Sequence, residues 1–279
     1  MKLKYLVPIL TLLITFFSCN KDNDDDTEIF DAVAQSIIDD ELLVDYLQSH
    51  YYIPALDNEP FGTVDTLMNN ELSLFSQVET QNITHNDISY NLYYLLIEQG
   101  VNDSPTRYDS VFVKYRGFRL DSVKFDESTN FNTTRSWLDL NSVIQGWKYG
   151  FPNFKSGNNV SEPGEPISFE DNGKGILFIP SGLAYGNSGA SSIPPNAPLL
   201  FHIELALVVT ADNDNDGVLN MHEDINGNGE TADDDTDGDG FPNYVDPDDD
   251  GDGTLTKDES ITEDADGDGI VDYLDPDTN

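Results

Sequence analysis

Val143-Ile144-Gln145-Gly146-Trp147-Lys148-Tyr149-Gly150 is the stretch on which the fold turns. It is short and bounded by glycine, so it has room for two turns of helix at most. The segments on either side have a period of two instead. Upstream, residues 110–118 set Val111, Val113 and Tyr115 against Phe112, Lys114 and Arg116, and residues 92–97 form an apolar run. Downstream, residues 199–209 set Phe201, Ile203, Leu205 and Leu207 against His202 and Glu204. This alternation predicts half-buried antiparallel strands. Strands, one small helix and a closing strand define an α+β domain with the helix laid on one sheet face.

Five blocks stand in order around these elements: Tyr115-Arg116-Gly117, Phe125-Asp126-Glu127-Ser128, Val143 to Trp147, Ile179-Pro180-Ser181-Gly182-Leu183-Ala184-Tyr185-Gly186, and Ile193-Pro194-Pro195-Asn196-Ala197-Pro198-Leu199-Leu200-Phe201. In sequence and near spacing they resemble the blocks of an FKBP-type peptidyl-prolyl isomerase, over about residues 90–210. The resemblance implies a twisted antiparallel sheet around a short helix, with an aromatic-lined pocket between them. It assigns Tyr115, Phe125, Asp126, Val143, Ile144, Trp147, Tyr185, Ile193 and Phe201 to that pocket as candidate catalytic residues. Trp147 would be the floor, with Phe125, Tyr115 and Phe201 the walls. Asp126 and Tyr185 would supply polar groups, and the Ile144 backbone would meet the residue after proline. No cofactor is implied for catalysis, and no Ser/His/Asp or Cys/His grouping stands out. Three departures are visible. Residues 158–174 enlarge a loop expected near the pocket, Trp137 is the nearest aromatic to a wall position before Leu140, and Ser192 replaces an apolar residue.

The 279 residues carry 53 Asp and Glu against 13 Lys and Arg, a net charge of -40. Such a chain repels a phosphate backbone, so nucleic acid is excluded as a partner. One cysteine forms no internal disulfide, and four histidines without cysteine pairs make no zinc pattern. That cysteine is Cys19. It follows Lys2, Lys4 and an uncharged run over residues 5–17, the plan of a signal peptide, and Phe16-Phe17-Ser18-Cys19 resembles a bacterial lipobox. Residues 1–18 therefore read as a lipoprotein signal peptide with Cys19 as the lipidation site. Residues 19–28 are an acidic tether.

Residues 29–89 read as an N-terminal helical extension. Phe30, Val33, Ile37, Ile38, Leu42, Tyr46 and Leu47 give an amphipathic helix over 29–52, with Asp25, Asp26 or Thr27 as its cap. Residues 53–90 suggest no function.

Residues 211–279 hold nearly half of the acids and a single base, Lys257. Their spacing is that of the twelve-residue calcium loop, with oxygen ligands at positions 1, 3, 5 and 12 and glycine at 6. The five loops are Asp212, Asp214, Asp216 to Glu223; Asp224, Asn226, Asn228 to Asp235; Asp235, Asp237, Asp239 to Asp246; Asp248, Asp250, Asp252 to Glu259; and Asp264, Asp266, Asp268 to Asp275. Their starts lie too close for paired EF-hand helices, and they resemble thrombospondin type 3 repeats without the cysteines. Structural Ca2+ would stabilise a tail with so few apolar residues.

The sequence thus predicts a lipid-anchored isomerase of the Gram-negative cell envelope, on the periplasmic or outer surface of the outer membrane. It would act as a monomer on proline-containing segments of exported polypeptides. Two other readings are a catalytically weak binding module or chaperone, with the 158–174 loop seizing a partner, and a calcium-dependent adhesion protein.

Overall fold

The computed structural model describes residues 30–56, 59–131 and 136–278. The signal peptide, Cys19 and the tether lie outside the described residues. The elements follow in chain order: α1 (Ala32–Ser49), β1 (His50–Ile53), β2 (Thr63–Thr66), β3 (Glu79–His85), β4 (Ile88–Glu98), β5 (Ser110–Arg119), β6 (Lys124–Ser128), β7 (Trp137–Asp139), α2 (Gln145–Gly150), β8 (Asn158–Asn159), β9 (Phe169–Glu170), β10 (Gly173–Ile179) and β11 (Leu199–Val209). Seven strands make one antiparallel sheet in the order β3-β4-β10-β11-β5-β6, with β7 pairing the start of β5. The protein is α+β, as the alternation around residues 143–150 requires.

The sheet carries a core on each face. Leu177 and Ile179 of β10, with Leu199, Phe201, Ile203 and Leu205 of β11, join Trp147 and Phe151 beneath α2. Their alternates Ile176, Phe178 and Leu200 meet Leu43, Tyr46 and Leu47 of α1. The half-buried reading of β11 is therefore corrected, since the N-terminal extension covers its second face. His202 and Glu204, which read as solvent-facing, are 3% and 7% exposed. Glu204 is matched by Lys114 Nζ at 3.1 Å and Asn172 Nδ2 at 2.7 Å, which makes its burial tolerable.

His202 sits between the rings of Phe61 and Phe118. Burial first, and then the Arg116 guanidinium, pushes its pKa down to about 4. An unfolded imidazole takes up its proton near pH 6.5, whereas the folded one stays neutral until about pH 4. Stability therefore falls as pH drops through that window, by about 3 kcal/mol from this group. Urea unfolding at pH 7 and pH 4.5 should show a smaller difference for His202→Gln than for the wild type. Equal differences would refute the assignment.

Helix α1 departs from its expected limits and face. It starts at Ala32, where Asp31 Oδ1 accepts the Ala34 N–H at 2.9 Å, and ends at Ser49, because residues 50–53 pair with β2. Val33, Ile37, Ile38 and Leu42 are exposed, and the buried face is Asp39, Leu43, Tyr46 and Leu47. The apolar pattern misled because a carboxyl group does part of the docking. Asp39 is fully buried, accepting the Ser181 N–H and hydroxyl at 2.6 Å each and the Gln35 amide at 2.8 Å. Asp40 accepts from the Tyr93 hydroxyl at 2.7 Å. Asp39→Ala leaves Ser181 unsatisfied inside the protein and should cost about 2–4 kcal/mol, read as a lowered melting temperature. A melt unchanged within error would show that the contact is dispensable.

The 158–174 segment forms the β8–β9 hairpin, and its Phe169 packs on Phe112 and Phe131. Trp137 also packs on Phe112, at 4.9 Å. Neither this hairpin nor Trp137 reaches the cavity described next, which corrects the placement of the enlarged loop near it. Phe169 instead meets the Phe112 ring edge-on at 5.6 Å.

Candidate active site

Tyr115, Phe125, Asp126, Val143, Ile144, Trp147, Tyr185, Ile193 and Phe201 all line one cavity of about 500 Å3. They come from β5, β6, the approach to α2, α2 itself, the segment after β10, and β11. Trp147 stands edge-on to Phe201 at 5.0 Å and to Tyr115 at 5.0 Å, while Phe125 meets Phe201 at 5.3 Å. These near-perpendicular rings bring the positive edge of one onto the negative face of the next, so the walls hold one another in place.

Small residues permit the approach. A Cβ on Gly117 would lie 2.6 Å from Phe125 Cζ and 2.7 Å from Phe201 Cε1. One on Gly146 would strike Ile179 of β10, so only glycine lets α2 settle on the sheet. The Ile144 carbonyl accepts the N–H groups of Trp147 at 2.9 Å and Lys148 at 3.2 Å, which opens the helix.

Polar groups are few. The Tyr115 hydroxyl donates to Asp126 Oδ2 at 2.7 Å, and Asp126 Oδ1 accepts the Glu127 N–H at 2.9 Å. Burial, followed by the Asp126 carboxylate, raises the pKa of the Tyr185 hydroxyl, so it keeps its proton and can donate. The Trp147 indole N–H is buried with no acceptor among the described residues. Ser142, Ala190 and Ser191 also line the cavity, and the sequence reading did not name them. The rim is tied down by paired backbone bonds between Ala190 and Ile193, at 3.0 and 2.7 Å, and by Arg119 Nη1 donating to the Ser192 carbonyl at 3.1 Å. These contacts leave no sequence pattern because they run through backbone atoms.

The acidic tail folds onto this domain. Its second loop lies behind α2, where the buried Lys148 ammonium donates to Glu230 Oε2 at 2.9 Å. Beside it the Tyr108 hydroxyl donates to Asp224 Oδ2 at 2.6 Å, and Asn141 Nδ2 to Thr231 Oγ1 at 3.3 Å. This part of the tail is therefore docked on the domain.

In the tail, carboxylate oxygens converge within 4.8 Å in loops one (Asp212, Asp214, Asp216), three (Asp235, Asp237, Asp239), four (Asp248, Asp250, Asp252) and five (Asp264, Asp266, Asp268). Glycine at position 6 has positive φ in every loop: Gly217, Gly229, Gly240, Gly253 and Gly269. In the same four loops the N–H of position 2 donates to the side chain of position 9: Asn213 to Asn220, Thr236 to Asn243, Asp249 to Thr256 and Ala265 to Asp272. Loop two has Ala232 at position 9 and no such bond, and among the described residues it gathers no three carboxylates. Its Asn226 and Asn228 amides turn to Asp234 and Asp233, both at 2.8 to 2.9 Å. At position 12, Glu223 faces loop one, where burial and then Asp214 and Asp216 push it up to about 9. Glu259 is pushed up to about 7 by burial and then by Asp250 and Asp252. Asp246 is raised by burial and then by Asp239 and Asp237. Crowded, unpartnered carboxylate oxygens of this kind suit a hard divalent cation.

Residues 102–206 match the family model described as FKBP-type peptidyl-prolyl cis-trans isomerase, and this central domain belongs to that family. FkpA of Escherichia coli, an FKBP-type peptidyl-prolyl cis-trans isomerase, is 37% identical over 117 residues, which are 42% of this chain and 37% of that protein. FkpA of Aeromonas hydrophila is 35% identical over 126 residues, 44% of this chain and 41% of that one. The chain thus spans less than half the length of the curated relatives it matches. The crystal structure of a peptidyl-prolyl cis-trans isomerase from Pseudomonas syringae pv. tomato is similar at 24% identity, covering 63% of this chain and 93% of that one, with a TM-score of 0.39. A second model, described as BamM C-terminal, matches residues 213–263.

Proposed function

We propose that the chain catalyses cis/trans exchange at X-Pro bonds of exported polypeptides, anchored through a lipidated Cys19 to the outer membrane of a Gram-negative envelope, with Ca2+ holding its tail. The observation that carries the isomerase reading is the convergence of nine spaced residues on one ring-lined cavity.

Rotation about an X-Pro amide meets a barrier near ~20 kcal/mol because twisting removes resonance. No bond is made or broken, so the site must favour the twisted amide over the planar one. The twisted form has a less polar carbonyl, which loses less on leaving water. A dry pocket walled by Tyr115, Phe125 and Phe201 over Trp147 therefore binds it preferentially. The rings hold the flat prolyl group with little entropic loss. Asp126, fixed by the Tyr115 hydroxyl, sits beside the substrate carbonyls, while Tyr185 donates to one of them and the Ile144 N–H meets the following residue.

The direct test is the full chain in a proline-peptide isomerisation assay, where a rate no faster than buffer would remove the enzyme reading. The envelope assignment is supported by the export-type leader with its lone cysteine. Cell fractionation should find the wild type in membranes and Cys19→Ala in the soluble fraction. Equal partition would refute the anchor.

A further inference from the structure

Several acidic side chains of the tail lie outside the loops' ligand positions, and Asp249 is the most deeply buried of them. Asp249 stands at position 2 of the fourth loop, between the ligand positions of Asp248 and Asp250. The corresponding residues of the other loops are Asn213, Ile225, Thr236 and Ala265, so only the fourth has an acid here. Asp248 opens a turn closed by the Gly251 N–H to its carbonyl at 3.1 Å, and while the carboxylates of Asp248, Asp250 and Asp252 converge in their own loop, that of Asp249 does not join them. Its backbone is held there by the N–H bond to Thr256 Oγ1 at 3.1 Å.

Asp249 faces the first loop. Carboxylate oxygens of Asp249, Asp216 and Glu223 lie within 4.8 Å of one another, although Asp249 is far along the chain from the other two. The three side chains are 1%, 3% and 0% exposed. Both oxygens of Glu223, both of Asp249 and one of Asp216 are buried without a hydrogen-bond partner among the described residues. Among the described residues these buried carboxylates have no donor and no basic partner, so they call for a counter-charge, and an all-oxygen cage suits Ca2+ rather than a softer ion. Asp216 is shared with the Asp212–Asp214 group, so a single ion can draw on both sets.

We propose that Asp249 is a cross-loop ligand of the first loop's cation, so that one divalent ion held by Asp216, Glu223 and Asp249 clasps the first loop to the fourth. The proposal rests on the calcium reading of the tail and adds what the twelve-residue pattern lacks, a metal bond between distant loops. Tyr273 of the fifth loop is buried beside the same three carboxylates, so a third loop closes over this point.

Calcium titration calorimetry on the full chain tests it, with Glu223→Gln, Asp249→Asn, their double variant, and Asp237→Asn in the third loop as a control. Each of the first two should weaken the same site by about tenfold or more. The double variant should be little worse than the weaker single, as expected when two ligands serve one ion. Asp237→Asn should affect a different site and combine independently with Asp249→Asn. An Asp249→Asn titration superimposable on the wild type, or effects of Glu223→Gln and Asp249→Asn that multiply in full, would overturn the clasp while leaving calcium binding standing. No calcium uptake by the wild type would overturn both the calcium reading and the clasp. Terbium luminescence offers a readout that needs no ligand variant. Tyr273→Phe should lower the tyrosine-sensitised emission without changing calcium affinity, and unchanged emission would count against the site.

Discussion

Replacing Phe125 by Ala should lower kcat/KM for a proline peptide by about tenfold to a hundredfold, a loss of roughly 1.4–2.7 kcal/mol of transition-state binding. Phe125 makes one wall and braces another, since its ring edge meets Phe201 at 5.3 Å and both close over Gly117. Without it the cavity admits water and Phe201 is free to tilt, so the planar amide regains solvation inside the site. The fall should lie mainly in kcat, because the lost contact distinguishes the twisted amide from the planar one. Asp126→Ala should act in the same direction by releasing the Tyr115 hydroxyl. A Phe125→Ala enzyme with wild-type kcat/KM and an intact fold would mean that the ring-lined cavity is not where exchange occurs.

Calcium removal should have the second large effect. Without cations, four groups of converging carboxylates oppose one another in a tail of few apolar residues. A site filled at ten times its dissociation constant contributes about 1.4 kcal/mol, so four independent sites contribute about 6 kcal/mol. That is comparable with the stability of a whole domain. Chelator should therefore expand the chain in small-angle scattering and open residues 212–278 to protease, and excess Ca2+ should reverse both changes. Identical scattering profiles with and without chelator would refute structural calcium.

What could be read from the sequence depended on whether a residue's role left a local pattern. The cavity residues were legible because each lies in a short block and the blocks keep their order, so Trp147 and Phe201 could be placed together across more than fifty positions. The turns of the tail were legible for the same reason, through glycine at a fixed offset. The face of α1 was not, because Asp39 looks like a solvent residue until Ser181 supplies its donors. His202 and Glu204 misled in the same way, as alternation shows that a strand has two faces without showing what covers the second. Asp249 occupies a spacer position, and only the meeting of distant loops gives it a role.

The bonds behind α2 bear on how small a piece of this chain can stand alone. A six-residue helix is too short to persist by itself, and this one carries Lys148 and follows Asn141, both committed to groups beyond residue 210. Trimming the chain to the stretch that matches the isomerase family would open Lys148 and Tyr108 to water on one side and strip the cover from His202 on the other. The excised fragment would then be a poor surrogate for the parent. Part of the rigidity of Trp147 is borrowed from a neighbour that shares none of its chemistry.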